Sequence, residues 1–335
     1  MRILVLNGSP KGEYSVTLQT SLYLQKRYPQ HDFEVLHVGQ RIKLLERDFT
    51  PILEAVEKAD LLLFSYPVYT FIAPSQLHRF IELLKASGID LHGKYATQIT
   101  TSKHFYDVTA HRYIQDNCQD MGLKYIRGLS ADMDDLLTER GQKEAGDFLQ
   151  YVSWCVAEDV YEPFPAPVKA ANCVPVEVPA ESVQPKQPGD VVIITDCEED
   201  NTQLRNMIAR FQSKLGISSR VVNIREYPIK GGCLGCFNCA VSGKCIYTDG
   251  FDAFLRNHIQ TADAMVFAFR IKDHSMGSVF KQYNDREFCN GHRTVTMGMP
   301  VGYLITGNYS EEYNLQMIVE ARSEVGGNFL AGVAT

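Results

Sequence analysis

The chain has 335 residues, 45% hydrophobic and 22% charged, with a net charge of −7 at pH 7. This composition excludes a mainly disordered chain, and a length of about two ordinary domains buries enough surface to fold without disulfide staples. Neither half is basic, which argues against a nucleic-acid or anionic-membrane partner.

Met1 to Gly8 holds too short an apolar run for a secretory signal. The longest apolar stretches, such as Leu61 to Phe64 and Ala264 to Phe269, fall far below the ~20 residues of a membrane helix. No membrane association and a cytoplasmic location are therefore expected. Nine cysteines is an odd number, and four of them crowd between Cys233 and Cys245. Without an export signal, such crowding points to metal ligation rather than disulfides.

Short apolar runs alternate with amphipathic stretches, the pattern of a parallel sheet covered by helices. In the first half, strands are expected at Ile3–Asn7, Phe33–Val38, Leu61–Ser65, Tyr95–Thr101 and Leu123–Gly128. Helices fill the gaps at about Ser15–Tyr28, Pro51–Lys58, Pro74–Ala86, Val108–Met121 and Thr138–Val156. Seven of the fourteen prolines then fall between Pro163 and Pro188. Proline fixes φ and removes donors, so an extended connector is expected over 163–189, between domains at 1–162 and 190–335. Beyond it, strands are expected at Val191–Thr195, Ser219–Ile224, Met265–Phe269, Val301–Thr306 and Phe329–Val333. The fold class is α/β: two doubly wound flavodoxin-like domains with parallel five-stranded sheets, whose ligand edge is the carboxyl end of the strands.

The halves match each other. Ala59 to Glu82 aligns without gaps on Ala262 to Asp285 at an offset of 203, whereas Thr17 matches Thr202 at about 185. The difference places an insertion between strands two and three, where the cysteine segment Gly231–Cys245 lies. The second domain reads as a duplicate with a cysteine-rich insertion, lacking the closing helix that follows strand five in the first.

Three loops carry candidate chemistry. Asn7-Gly8-Ser9-Pro10-Lys11-Gly12-Glu13-Tyr14-Ser15-Val16-Thr17 runs from a strand end into a helix start. Glycines admit an anion, a helix N-terminus attracts it, and hydroxyls and Lys11 add donors and charge. Read alone, these residues fit an ordinary helix cap equally well. Ser65 to Pro74 is an aromatic, proline-stiffened loop able to face a ring system or to form a plain turn. Thr101-Ser102-Lys103-His104-Phe105-Tyr106 follows strand four, and His104 there suits a surface position as well as a ligand contact. All three are expected on one sheet edge.

These residues resemble the NADPH-dependent FMN reductase and flavodoxin-like quinone reductase superfamily. In that superfamily a Gly-Ser-Pro-Arg/Lys loop with later Ser and Thr holds the FMN phosphate, and a Pro-x-Tyr loop lies against the isoalloxazine. The resemblance implies that Ser9, Lys11, Ser15, Val16 and Thr17 hold phosphate. It implies that Pro67, Val68, Tyr69, Thr70 and Phe71 line the flavin, with Thr101, Ser102 and His104 closing the site. Glu13 and Tyr14 stand where small polar residues are usual. The stretch Phe280-Lys281-Gln282-Tyr283-Asn284-Asp285-Arg286 resembles the Leu-Lys-x-Phe-x-Asp-Arg helix of the same superfamily.

The second domain departs from this pattern. Its counterpart of the phosphate loop, Thr195 to Thr202, carries four carboxylates and no glycine, so no second FMN phosphate site is expected. Its counterpart of the Pro-x-Tyr loop is Arg270-Ile271-Lys272-Asp273-His274. Its distinctive feature is Cys233-x2-Cys236-x2-Cys239-x5-Cys245 among Gly231, Gly232 and Gly235. Thiolates are the soft ligands of iron–sulfur clusters, whereas structural zinc prefers two knuckles with a longer spacer. The run also resembles the compact cysteine motif of iron–sulfur flavoproteins. A four-iron cluster on Cys233, Cys236, Cys239 and Cys245 is the expectation, with zinc or free thiols as alternatives. Cys118, Cys155 and Cys173 read as buried or incidental thiols, and Cys197 and Cys289 approach the segment only if the fold brings them there.

By resemblance the expected function is an FMN-dependent oxidoreductase. It would pass electrons from NAD(P)H or an electron-transfer protein to a small-molecule or protein acceptor, by way of the cluster if one is present. The alternatives are an NAD(P)H:flavin or quinone reductase with structural cysteines, and a non-enzymatic electron carrier or binding protein. No residue carries the signature of a general base. Flavin sites of such proteins are often finished by a neighbouring subunit, which implies a homo-oligomer.

Overall fold

The computed structural model describes residues 1–104, 107–166, 186–290 and 295–335. They divide into two compact units, one of Met1–Ala166 with Cys233–Gly235 and one of the remaining described residues.

The first unit runs β1 (Arg2–Asn7), α1 (Val16–Arg27), β2 (Asp32–Leu36), α2 (Ile42–Leu45), α3 (Thr50–Lys58) and β3 (Leu61–Pro67). It continues with α4 (Ser75–Ala86), β4 (Tyr95–Ser102), α5 (Asp107–Asp120), β5 (Lys124–Tyr125), β6 (Leu129–Asp132) and α6 (Glu139–Ala157). The sheet order is β2-β1-β3-β4-β5, with β6 alongside β4 and every ladder parallel. Continuous apolar runs such as Ile3 to Leu6 suit strands buried on both faces. Leu18 and Leu24 of α1 and Phe148, Leu149 and Val152 of α6 pack with Ile3, Val5, Leu61, Leu63 and Ile99. The alternate residues Leu4, Leu6, Leu62 and Phe64 are equally buried, so the other face is covered too. Ser15 starts α1 by accepting the Leu18 N–H at 3.4 Å, and Lys26 and Arg27 sit at its negative end.

Two boundaries differ from expectation. The fifth strand is interrupted: β5 pairs with β4 from Lys124, and pairing resumes at Leu129 opposite Ile99. Between them Gly128 passes so close to β4 that a Cβ there would lie 2.5 Å from the Gln98 carbonyl oxygen. β2 stops at Leu36 because the chain then turns to let Gly39 N–H reach Asn7 O at 3.0 Å. A Cβ on Gly39 would sit 2.2 Å from Gly8 O, so this crossing requires glycine.

The second unit runs β7 (Gln187–Thr195), α7 (Thr202–Lys214), β8 (Ile217–Asn223), α8 (Asn238–Ser242), α9 (Phe251–Phe254) and β9 (Ala264–Lys272). It continues with β10 (Ser275–Met276), α10 (Ser278–Glu287), β11 (Pro300–Thr306), α11 (Tyr313–Gly326) and β12 (Phe329–Ala334). Its order, β8-β7-β9-β11-β12, repeats the first, with β10 turned back on β9. Leu204 and Ile208 of α7 pack with Val191, Ile193, Val266, Ala268 and Leu304. Phe280 of α10 meets Phe269 with ring centroids 4.8 Å apart and Phe267 edge-on at 6.1 Å. β7 reaches back to Gln187, inside the expected connector, with a register shift between Gln187 and Val191 that accommodates the donor-less Pro188. The middle of that connector, 167–185, lies outside the described residues, and Cys173 with it.

Both units leave their third strand by one device. Tyr69 and Ile72 exchange backbone hydrogen bonds of 2.8 and 3.2 Å across Thr70 (φ 45°) and Phe71 (φ 71°). Lys272 pairs with Ser275 across Asp273 (φ 52°) and His274 (φ 62°). Two successive left-handed residues define the two-residue hairpin that matches strand twist. The two turns fall on positions related by the 203-residue offset, which favours duplication of one domain. A β-branched residue at positive φ costs about 1–2 kcal/mol. Thr70→Asn is therefore expected to raise the thermal midpoint of the first unit by about 2–4 °C; an unchanged or lower midpoint contradicts this strain.

Candidate functional site

The parallel register sets the carboxyl ends of β1, β3 and β4 side by side, with Asn7 opposite Ser65 and Pro67 opposite Thr101. The loop after β1 is folded around Asn7, which is fully buried. Asn7 Nδ2 donates to Gly12 O at 2.9 Å and lies 3.0 Å from His37 Nδ1, while Asn7 Oδ1 accepts the Ser9 N–H at 3.2 Å. Ser9 Oγ accepts the Lys11 N–H at 3.2 Å, and Ser15 Oγ caps α1. A hydroxyl fixed as an acceptor keeps its own proton to donate. Ser9 and Ser15 thus remain donors beside a helix N-terminus, and Lys11 forms no ion pair among the described residues. That donor set fits a phosphate. Ser65 Oγ, buried at the end of β3, has no hydrogen-bond partner among the described residues, as expected of a group that a ligand or water completes. Val16 is half in solvent.

Thr101 ties the three loops together. Its Oγ1 lies 2.5 Å from Thr17 Oγ1, both buried, and its carbonyl accepts the Val68 N–H at 3.3 Å. Beyond Val68 stands the hairpin of Tyr69, Thr70 and Phe71, whose Phe71 carbonyl accepts the Thr109 hydroxyl of α5. Pro67, Val68, Tyr69 and Thr70 are partly exposed on this edge, and Phe71 is buried.

Ser102 and His104 are organised by Asp107, the first residue of α5, which the sequence did not single out. Asp107 accepts from Ser102 Oγ at 2.5 Å and Ser130 Oγ at 2.7 Å, and its other contact is His104 Nδ1 at 3.2 Å. His104 is exposed and left-handed at φ 56°. Phe105 and Tyr106 lie outside the described residues. The signal for Asp107 was its place at a helix start after strand four. Asn7 was visible as the residue closing a buried strand.

The corresponding edge of the second unit is built differently. Asn201 caps α7 at Leu204 N–H (3.2 Å), and Glu198 pairs with Arg225 at 2.7 Å. Asn223 Nδ2 donates to Cys197 O at 2.9 Å. Glu199 and Asp200 are exposed, giving this loop an acidic surface. His274 Nδ1 lies 3.1 Å from Glu312, the residue preceding α11.

The four cysteines of the segment lie on different local elements. Cys233 groups with the first unit, Cys236 is exposed on a loop, Cys239 lies on α8 and Cys245 follows it, both half-buried. Left-handed residues Phe237 and Gly243 bracket α8. Among the described residues no group of three or more His, Cys, Asp or Glu is placed to hold a metal. The expected four-cysteine metal site is thus not shown among the described residues. The fold does bring Cys289 to the segment, because α8 packs against the turn Phe288–Asn290. Burial pushes the Cys289 thiol up to about 12, and Cys245, Asp252 and Cys239 push it the same way. Cys118 and Cys155 are buried in the first unit.

Residues 1–119 match the family described as NADPH-dependent FMN reductase. No curated protein sequence matches the chain. Among solved structures, the FMN-dependent NADH-azoreductase of Bacillus anthracis in complex with FMN is 14% identical, over 45% of this chain and 98% of that one, with a TM-score of 0.36. General stress protein 14 of Treponema denticola in complex with FMN is 13% identical, over 46% and 98%, at 0.37. The NAD(P)H:quinone oxidoreductase of Methanothermobacter marburgensis is 13% identical, over 50% and 99%, at 0.37. The matched family span runs from β1 to within α5 and contains all thirteen residues expected at the flavin. Residues 1–119, on the doubly wound parallel sheet of the first unit, are thus similar to the NADPH-dependent FMN reductase family. No helix among the described residues is long and apolar enough to cross a membrane.

Beneath this edge, His111 Nε2 lies 2.8 Å from Thr100 Oγ1. Burial lowers its pKa to about 4, against a weaker opposing pull from Asp107. The folded state thus resists a proton that the unfolded chain accepts near pH 6.5. Stability is full above that pH and falls by about 2–3 kcal/mol as pH drops from about 6.5 to about 4. Denaturant midpoints at pH 7 and pH 4.5 should show this loss in the wild type and a flatter dependence in His111→Gln.

Proposed function

We propose that this protein is an FMN-dependent oxidoreductase that takes reducing equivalents from NAD(P)H and passes them to a small acceptor such as a quinone or free flavin. The observation that carries the reading is the convergence of three loops on Thr101, inside the span matched to FMN reductases. When bound, FMN would supply the hydride and electron chemistry.

The chain's own part is to bind and orient. Ser9 and Ser15 donate hydroxyl hydrogens to the phosphate, Lys11 adds charge, and the N-terminus of α1 adds its dipole. Thr17 acts through Thr101, holding the phosphate loop against the end of β4. The hairpin of Tyr69, Thr70 and Phe71 offers an aromatic and backbone surface to the ring, continued by Pro67 and Val68. His104, steadied by Asp107, closes the far side with Ser102. The second unit, with its acidic loop, takes no FMN of its own in this reading.

A reductase whose cysteines are structural is favoured over electron transfer through a four-iron cluster, since no group of three or more His, Cys, Asp or Glu among the described residues is placed to hold a metal. A carrier without turnover remains the reading from another class, and its mark would be flavin reduction by an electron-transfer protein but not by NAD(P)H. Fluorescence titration of FMN should show a tenfold or greater loss of affinity in Lys11→Ala and in Ser9→Ala/Ser15→Ala, about 1.5–3 kcal/mol for charged hydrogen bonds. Steady oxidation of NAD(P)H with a quinone should fall with it. Undiminished FMN binding in both variants, or no NAD(P)H oxidation by FMN-loaded wild type, would overturn the assignment.

A further inference from the structure

The cysteine segment is closed at its base by a single buried arginine. Arg286, near the end of α10, is 1% exposed. Its guanidinium donates to Gly231 O at 2.9 Å on the incoming strand of the segment. On the outgoing strand it makes two hydrogen bonds to Asp249, of 3.0 Å to Oδ2 and 2.9 Å to Oδ1. Its flat face lies 4.4 Å from the centre of the Tyr247 ring and 4.9 Å from that of Phe251. Tyr247 adds a second tie between the strands, its hydroxyl donating to Gly232 O at 3.2 Å. Asp249 also accepts the backbone N–H groups of Lys230 at 3.0 Å and Phe251 at 3.3 Å.

We propose that Arg286 is the positioning residue of the cysteine segment, holding residues 231–249 as a closed loop that is ordered without a bound metal. Two features converge on it. A planar fork is the one side chain that can bond a carboxylate at two oxygens, reach a carbonyl on the opposite strand and stack between rings at once. The buried pair is engaged on its carboxylate side, where Asp249 accepts from Arg286, Lys230 and Phe251, while Arg286 Nε has no hydrogen-bond partner among the described residues. In small metal sites the ligand–metal bonds supply the folding free energy and chelators unfold the loop; here that work falls to α10. The segment is thus a preformed platform. Its exposed Cys236 and half-buried Cys239 and Cys245 are presented by the domain core, and removing any bound metal leaves their surroundings intact.

The test compares full-length wild type, Arg286→Met, Arg286→Lys and Tyr247→Leu, each before and after treatment with a strong chelator. Two signals are read: amide hydrogen exchange over 231–250 and the rate at which the thiols react with a disulfide reagent. Wild type should keep its protection and thiol rates after chelation. Arg286→Met should lose protection over 231–250 and expose Cys239 and Cys245 at least tenfold faster, with β7 and β9 still protected. Arg286→Lys, which keeps charge but not the fork, should restore the loop only in part. Tyr247→Leu, which leaves the ion pair, guards against the arginine variant failing to fold, and should loosen Gly231 and Gly232 first. Chelation that opens the loop in wild type would overturn the proposal. So would arginine and tyrosine variants whose exchange and thiol rates match wild type.

Discussion

The candidate site depends on Thr101. A side-chain contact to Thr17 and a backbone bond to Val68 join the loop after β1, the aromatic hairpin and the end of β4 at one residue. Neither bond is strong by itself, each contributing about 1 kcal/mol net. Their effect is geometric, because Thr17 and Thr101 are buried and a lost partner would leave a hydroxyl without compensation. Parallel pairing of β1, β3 and β4 puts the three loops on one edge, and Thr101 fixes their spacing.

The second unit shows what that frame becomes when its edge is rewritten. Strand order and the left-handed hairpin are retained, position for position. The residues that suit an anion are replaced by Glu198, Glu199 and Asp200, and an acidic loop beside a helix start disfavours a dianion. The change is accompanied by a new internal fixture, the Arg286–Asp249 pair, with no counterpart at the matching positions of the first unit, where the offset places Leu83. One α/β frame thus carries a donor-rich edge in one copy and a clamped cysteine loop in the other.

Much of the fold was legible because both sheets are buried on two faces. Runs such as Ile3 to Leu6 and Leu61 to Phe64 then mark strands without relying on alternation, and Ser15 and Thr138 mark helix starts by their capping chemistry. The break at Gly128 was not legible, since it arises from close approach to Gln98 on a neighbouring strand. The residues of the first unit's carboxyl edge were readable as a set because short motifs at strand ends carry their own chemistry. Asp107 was missed because its role comes from Ser102, His104 and Ser130, which only the fold brings together. The cysteines are the sharpest contrast. Spacing along the chain suggested one metal centre, and none is shown among the described residues. The approach of Cys289, 44 positions beyond Cys245 in the sequence, could come only from tertiary packing.

The most direct test of the account is the FMN content of the purified, FMN-saturated chain after gel filtration, read from flavin absorbance against protein concentration. One FMN per chain, abolished or sharply reduced by Lys11→Ala and untouched by replacing Asp200 with Ala, is the predicted result. Two FMN per chain, or one that survives loss of the first unit's phosphate donors, would contradict it.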